Sequence, residues 1–371
     1  MTFTQLGFSD PILKALESIN YQTPTPIQLE SIPIIKEGND LFGCAQTGTG
    51  KTAAFSLPII ENLIQREATR GIKALILAPT RELAAQIGDN IQAYSKHTNI
   101  KTVTIFGGVS QVNQIKAMRH GCDILVATPG RLLDFLGQNL ISLRSIEFFI
   151  LDEADRMLDM GFIHDIKKII KLLPTKRQSL FFSATAADPI MELANKILVN
   201  PKKVAVTPVS TPAEVVNQSV FYVKKEDKRQ LLKSLIETQN IEHALVFTRT
   251  KHGADRVARD LSKAGIKAEA IHGNKSQSAR EKALNGFKNR NIRVLVATDI
   301  AARGIDVDKL SHVINFEIPE VPETYVHRIG RTGRAGNSGI AYSFCTEDEK
   351  TYLKGINKLL KKPIKEAVEL I

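Results

Sequence analysis

The sequence predicts an α/β fold in two domains, each a mostly parallel sheet flanked by helices, and three observations predict it. The chain has 371 residues, about two and a half times a typical domain of roughly 150. Short apolar, β-branched runs alternate with stretches whose apolar residues recur every three to four positions, as buried parallel strands and their crossover helices require. One segment, residues 207–217 (TPVSTPAEVVN), breaks that alternation with two prolines and small polar residues, the composition of a linker. The expected division is therefore 1–206, a linker at 207–217, and 218–371, with a linker short enough to hold two sheets face to face.

Taken in order, the strand candidates of the first half are 40–45, 73–78, 102–106, 123–127, 147–151 and 179–183. Helical periodicity fills 53–66 and 81–96 between them. The second half repeats the pattern, with strand candidates at 219–223, 243–247, 267–271, 293–297, 312–316 and 340–344 and a last helix at 347–360. No internal repeat or low-complexity tract is present.

Composition narrows the class. Apolar residues make up 43% and charged residues 24%, close to ordinary globular usage. No run approaches the roughly 18 uninterrupted apolar residues of a membrane span, and the start (MTFTQLGFSD) has neither a basic nor an apolar signal region. Cys44, Cys122 and Cys345 are too few and too scattered for a disulfide framework or a zinc site. A cytoplasmic, monomeric protein without a membrane anchor is the expectation. The net charge of +11 and pI near 9.4 favour a polyanionic partner, nucleic acid first. The excess lies mainly after residue 206, at about +8 against about +3 before it. The lysines at 167–171 and 354–365 share their stretches with apolar residues at helical spacing and read as solvated faces.

The strongest local signal is AQTGTGKT at 45–52, between a strand and an apolar helix. Gln46, Thr47, Gly48, Thr49 and Gly50 form a loop whose backbone N–H groups can converge on phosphate oxygens. Lys51 reaches the β- and γ-phosphates, and Thr52 supplies a hydroxyl to Mg²⁺. Ala45 replaces the usual first glycine, and a methyl is small enough to be accepted there. A triphosphate site also needs carboxylates to hold the metal and aim a water. FFILDEAD at 148–155 ends a wholly apolar strand in acids, so Asp152 is assigned to Mg²⁺ and Glu153 to the attacking water. Alone, that pattern also fits a loop entrance or a helix cap, the lesser of the two readings.

Residues 152–155 spell DEAD, and further motifs follow in order from Phe3 to Arg334. The chain resembles the DEAD-box ATP-dependent RNA helicases, and their RhlE-like bacterial branch most. The resemblance implies two RecA-like domains closing around ATP and single-stranded RNA, an RNA-dependent ATPase that opens short duplexes or remodels RNA–protein complexes, and ATP with Mg²⁺ as cofactors. In NYQTPTPIQ at 20–28, a two-proline turn presents Gln28, whose amide can pair with adenine N6 and N7. By resemblance Phe3 stacks on the base. Asn20 stands where the family usually has glycine; asparagine tolerates the same left-handed backbone.

The same resemblance assigns Asp155, Ser183 and Thr185 (in SAT at 183–185) and His327 to coupling. It assigns Arg331 and Arg334 (in HRIGRTGR at 327–334) to the γ-phosphate, and Gly304 and Asp306 (in ATDIAARGID at 297–306) to the ribose. On residue chemistry alone Ser183 reads better as a helix N-cap, and the arginine cluster reads as a polyphosphate site ahead of a basic RNA loop. RNA contacts fall to Pro79, Thr80, Arg81, Gly107, Gly108, Thr128 and Arg131 in the first domain. In the second they fall to Arg249, Gly273, Gln277, Arg280, Thr298 and Arg303. Each first-domain group follows a strand candidate, so they gather on one sheet edge, where α/β ligands bind. Few aromatics lie among them, which suits backbone gripping, with the 2′-hydroxyl separating RNA from DNA.

Overall fold

The computed structural model describes residues 2–46, 48–66, 71–206, 216–302 (Ile300 in its backbone only), 310–333 and 339–367. It divides into two compact units, Met1–Pro208 and Val209–Ile371. Thr47, Arg303, Gly304, Asp306, Arg334 and most of the expected linker lie outside the described residues.

The first unit is built from β1 (Leu41–Cys44), β2 (Ala74–Leu77), β3 (Thr102–Ile105), β4 (Ile124–Ala127), β5 (Phe148–Leu151), β6 (Gln178–Ser183) and β7 (Lys202–Ala205). They form one sheet in the order β3-β4-β2-β5-β6-β1-β7, with every pairing parallel. Its helices are α1 (Asp10–Ser18), α2 (Pro26–Lys36), α3 (Lys51–Ile64), α4 (Arg81–Tyr94), α5 (Gln111–Arg119), α6 (Pro129–Gly137), α7 (Ala154–Asp159), α8 (Ile163–Ile170) and α9 (Asp188–Ile197). Consecutive strand residues point to opposite faces, so each apolar run feeds two cores. Leu41, Ile76, Val126, Ile150 and Leu180 pack beneath α1 to α4. Phe42, Leu75, Leu125, Phe149 and Phe181 pack against α6 to α9. Fully burying each such side chain stabilises the unit by about 1.5–3 kcal/mol.

The second unit holds β8 (Val216–Tyr222), β9 (Ala244–Thr248), β10 (Ala268–Ile271), β11 (Val294–Thr298), β12 (His312–Asn315), β13 (Gly339–Cys345) and β14 (Lys365–Glu366). Their order is β10-β11-β9-β12-β13-β8-β14, again all parallel. The helices are α10 (Lys228–Thr238), α11 (Lys251–Lys263), α12 (Gln277–Lys288), α13 (Asp299–Ala302), α14 (Pro322–Ile329) and α15 (Lys350–Leu360).

Three details differ from expectation. Val216 and Asn217, taken as the end of the linker, are already in β8, paired with Gly339 and Ile340. Residues 347–349 form a separate 3-10 turn before α15, capped by Thr346 and Glu349. The edge strands β7 and β14 were not expected. Only Val204 of β7 is buried and both residues of β14 are exposed, so neither makes an apolar run. The lysines at 167–168, 171, 354, 358, 361, 362 and 365 are exposed, as the solvated-face reading has it.

Candidate functional site

Because all strands of the first unit run parallel, their carboxyl ends share one edge, and the strand order sorts the candidate residues along it. The nucleotide candidates follow β1, β6 and β5, which are contiguous. The RNA candidates follow β2, β4 and β3, also contiguous.

At β1 the chain turns through Gly48 (φ 85°) and Gly50 (φ 93°) into α3. A Cβ on Gly50 would clash with Gln28 Nε2, so glycine is needed for space as well as for backbone angle. Lys51 is 6% exposed and its Nζ donates to Ala45 O at 2.7 Å, while Thr49 Oγ1 donates to Gln46 O at 2.7 Å. Thr52 sits half-buried one position into α3. The loop is tied to β6 by Ala45 N, which donates to Ser183 O at 3.0 Å.

Gln28 is fully buried and spoken for on both sides. Its Oε1 accepts from Thr25 N at 3.0 Å, closing a capping box at the start of α2. Its Nε2 donates to Gly50 O at 2.9 Å and to the Tyr21 hydroxyl at 2.5 Å. The two-proline turn therefore clamps the phosphate loop directly. Asn20 does adopt a left-handed backbone, φ 55°. Phe3, assigned by resemblance to the base, lies in the core of the first unit. The ring is 3% exposed, with centroids 5.4 Å from Tyr21 and 6.4 Å from Phe8, because a phenylalanine beside two aromatics gains more from burial than from solvent.

At the end of β5, Asp152 and Glu153 are 2% and 3% exposed. Asp152 Oδ1 accepts from Glu153 N at 3.0 Å. The Asp152 carboxyl is raised to about 7, chiefly by burial, with Lys51 pulling it down and Glu153 pushing it up. Glu153 takes a left-handed backbone (φ 53°, ψ 51°) as it caps α7, and its carboxylate is ion-paired with Arg156 Nη1, itself 6% exposed. Asp155 links the two neighbouring strands: Oδ1 accepts from Arg156 N at 3.0 Å and Oδ2 from Ala184 N at 3.1 Å. The link to the SAT residues is thus a backbone amide. The Ser183 hydroxyl instead accepts from Thr185 N at 3.2 Å.

Among the described residues no cluster of three or more His, Cys, Asp and Glu side chains forms a dedicated metal cage. An oxygen-liganded ion here draws most of its ligands from phosphate and water. That is the habit of Mg²⁺, and the buried Asp152 at the end of β5 and Thr52 at the start of α3 are oxygen donors of the kind it takes.

Along the other half of the edge, Thr80 caps α4 through Leu83 N at 3.3 Å and so fixes Pro79 and Arg81 at the end of β2. Arg81 lies over the glycine pair: a Cβ on Gly108 (φ 78°) would clash with its Nη1, and one on Gly107 would fall 3.8 Å from its Nη2. Arg131, just past Thr128, donates to Gln114 Oε1 at 3.2 Å and Val109 O at 3.1 Å. Gln114 in turn donates to Phe106 O at 3.0 Å. Three separate motifs are thereby bound into one surface.

The second unit repeats the division. Arg249, Gly273, Gln277, Arg280 and Thr298 follow or end β9, β10 and β11, which are contiguous. Arg249 faces carboxylates: Nη2 donates to Glu349 at 2.9 Å, Nη1 to Glu320 at 3.5 Å, and its backbone N to Glu317 at 2.7 Å. Gln277 Nε2 donates to Glu281 Oε1 at 3.1 Å, Arg280 is buried, and Gly273 is exposed. Arg331 is 7% exposed with Nε on His327 O at 3.3 Å, and His327 is exposed.

Arg328, not singled out in the sequence, is the anchor of its motif. It is 2% exposed, forks onto Asp299 at 2.6 and 2.8 Å, and reaches Asn315 and Glu317 O. Tyr21, Gln114, Arg156 and the Lys228–Glu349 pair were missed as well. Arg156, three residues after the Glu153 that caps its helix, was the one detectable by spacing.

The architecture finds its class in two family models. A DEAD/DEAH box helicase model matches residues 25–193, and a helicase conserved C-terminal domain model matches residues 227–336. Relatives narrow the class. A DEAD-box ATP-dependent RNA helicase CshA of Bacillus cereus is 43% identical over 362 residues, 97% of this chain and 68% of that protein. One of Streptococcus pneumoniae is 44% identical over 365 residues, 98% and 69%. Among solved structures, S. cerevisiae Dbp5 bound to RNA and ADP BeF3 matches with a TM-score of 0.87 at 31% identity, over 99% of this chain and 95% of that one. Mss116p bound to ssRNA and AMP-PNP matches at 0.88 and 29%, over 100% and 80%. The chain belongs to the DEAD-box ATP-dependent RNA helicases, and each unit has their RecA-like fold. These relatives carry the CshA name and lend no support to the RhlE-like branch.

Proposed function

We propose that this chain is an RNA-dependent ATPase that locally separates short RNA duplexes or remodels RNA–protein complexes. The observation that carries the reading is the strand order of the first unit. It sets Lys51, Asp152, Glu153 and Ser183 at the ends of β1, β5 and β6, and Arg81, Gly108 and Arg131 at the ends of β2, β3 and β4. Two ligands thus have adjoining halves of one edge.

In this reading Lys51 leaves Ala45 O for the β- and γ-phosphates, an exchange of one charge-assisted bond for another. The amides of 46–50 receive phosphate oxygens. Thr52 and Asp152 hold Mg²⁺, which when bound offsets the charge on the transferring phosphoryl group. Glu153, held by its ion pair with Arg156, takes the proton of the attacking water. Gln28 reads the adenine edge, with Tyr21 and Phe3 packed behind it. Arg331 and Arg334 are assigned to the γ-phosphate, a role worth about 10³–10⁵ in rate where it operates. Gly304 and Asp306 are assigned to the ribose, and Asp155, Ser183, Thr185 and His327 to coupling. RNA runs as a backbone-gripped single strand over Pro79, Thr80, Arg81, Gly107, Gly108, Thr128 and Arg131, and over Arg249, Gly273, Gln277, Arg280, Thr298 and Arg303. Dbp5 and Mss116p, both solved with RNA and a nucleotide analogue, support the pairing of ligands. If RNA tightens ATP binding, ATP tightens RNA binding by the same factor.

We place the protein in the cytoplasm as a monomer serving ribonucleoprotein assemblies. Three free cysteines suit a reducing compartment, and among the described residues no helix is long and apolar enough to cross a membrane. The branch is the finer question. The motif pattern points to the RhlE-like one, whereas the relatives found are named CshA.

The test is ATPase turnover with and without RNA at fixed salt, beside duplex unwinding. Turnover raised by RNA, with strand release that needs ATP, is the expected result. Turnover indifferent to RNA refutes the reading, and hydrolysis without strand release makes the protein an ATP-gated clamp.

A further inference from the structure

Helix α11 follows β9 at the edge that carries Arg249, and Thr250 caps it through Gly253 N at 3.0 Å. Crossover topology carries the helix away from that edge along the side of the sheet. Its buried side is Ala254, Val257, Ala258 and Leu261. At about 100° per residue, His252, Arg256, Arg259 and Lys263 fall within roughly 60° of one another on the diametrically opposite side. All four are exposed, and among the described residues none of the three permanent cations on this ridge forms an ion pair. The two acids that flank it are engaged elsewhere. Asp255 lies 3.1 Å from His272 and 2.9 Å from Lys275, and Asp260 lies 2.9 Å from Arg229.

An ordinary solvated helix face alternates sign, so that residues three and four apart attract. Here Arg256–Arg259 and Arg259–Lys263 repel instead, at a cost to the helix. An anionic chain laid along the ridge removes that cost. The ridge spans about 16 Å, begins three residues beyond Arg249, and belongs to the more basic part of the chain.

We propose that the outer face of α11 is an auxiliary RNA-backbone track. It takes the strand where it leaves the β9–β10 edge and grips phosphates through Arg256, Arg259 and Lys263. This rests on the RNA edge proposed above. It adds a second stretch of contact that only longer RNA can reach.

The experiment uses the full chain with Arg256, Arg259 and Lys263 all changed to Gln, and binding titrations from low to high salt on single-stranded RNAs of about 6 and about 20 nucleotides. Three phosphate contacts at about 0.7 each predict that the salt slope for the long RNA falls by about 2, with weaker binding at low salt. The short RNA should bind as before, and ATPase at saturating short RNA should be unchanged. An Arg256→Lys and Arg259→Lys variant should keep the wild-type slope, since charge and not the guanidinium fork is what a backbone track needs. An unchanged long-RNA slope overturns the proposal and leaves the ridge to an acidic protein segment. Equal weakening of both RNAs also overturns it, by merging the ridge with the main site. Failure of short RNA to stimulate the wild-type ATPase would instead count against the edge itself.

Discussion

Replacing Lys228 by Met removes three donors at once from the interior of the second unit. Lys228 is 3% exposed, and its Nζ donates to Glu349 Oε2 at 2.6 Å, Phe316 O at 2.9 Å and Phe344 O at 3.1 Å. Glu349, 1% exposed, would keep Arg249, Ile318 N, Thr346 N and the Thr346 hydroxyl. Breaking a buried pair from one side costs about 3–5 kcal/mol, and because four donors remain on the carboxylate the lower end applies, about 3 kcal/mol. For a unit of this length that lowers the melting midpoint by roughly 6–12 °C. Thermal unfolding followed by far-ultraviolet circular dichroism on the full chain reads it. Adding Glu349→Gln should cost less than the sum of the two single changes, by about 1 kcal/mol or more, since no charge is then stranded. The functional side is a rise in the RNA concentration for half-maximal ATPase, because Glu349 also holds Arg249. A midpoint that moves by less than about 2 °C would refute the buried-pair argument.

Three further outcomes follow from the geometry. Glu153→Gln should leave ATP and RNA binding in place while turnover drops at least about 10²-fold; ordinary steady-state ATPase would remove Glu153 from the water. Gln28→Ala frees Gly50 O and the Tyr21 hydroxyl and breaks the cap on Thr25, so KM for ATP should rise about tenfold or more, the equivalent of about 1.4 kcal/mol, with nucleotide-free RNA binding unmoved; an unchanged KM would separate the turn from the loop. His243 donates Nε2–H to Phe287 O at 3.0 Å with Nδ1 buried and unpartnered, and burial lowers its pKa. Its stabilising neutral form is fully present above the unfolded value of about 6.5. That stability is lost as pH falls through this value toward the depressed folded one, so the melting midpoint should drop on acidification, and His243→Gln should flatten the drop. A midpoint equally pH-dependent in the variant would place the titration elsewhere.

Most of the sheet was legible because its strands are buried on both faces: runs such as ALIL (74–77) and FFIL (148–151) have no other use for four consecutive large apolar side chains. β7 was not legible, since an edge strand with one buried residue out of four reads as loop. The glycines and acids of the nucleotide half could be seen as local patterns. Their internal partners could not, because hydrogen bonds such as Gln28 to Gly50 O or Asp155 to Ala184 N join segments 22 and 29 residues apart. Buried charges were the hardest. Lys228 and Glu349 are 121 residues apart, and each alone resembles any surface residue of its type. Phe3 was legible only in part: the resemblance assigns it to the base, and its packing on Tyr21 and Phe8 could not be read from the sequence.

The seam between β2 and β5 has a consequence for how two bound molecules sense each other. Asp152 N donates to Leu77 O at 3.0 Å, so the acid at the exit of β5 and the Pro79 turn at the exit of β2 hang from adjacent rungs. Neighbouring strands are about 4.8 Å apart. Communication across the first unit therefore needs no long relay, because a tug on one exit loop is felt one ladder away, at the root of the other.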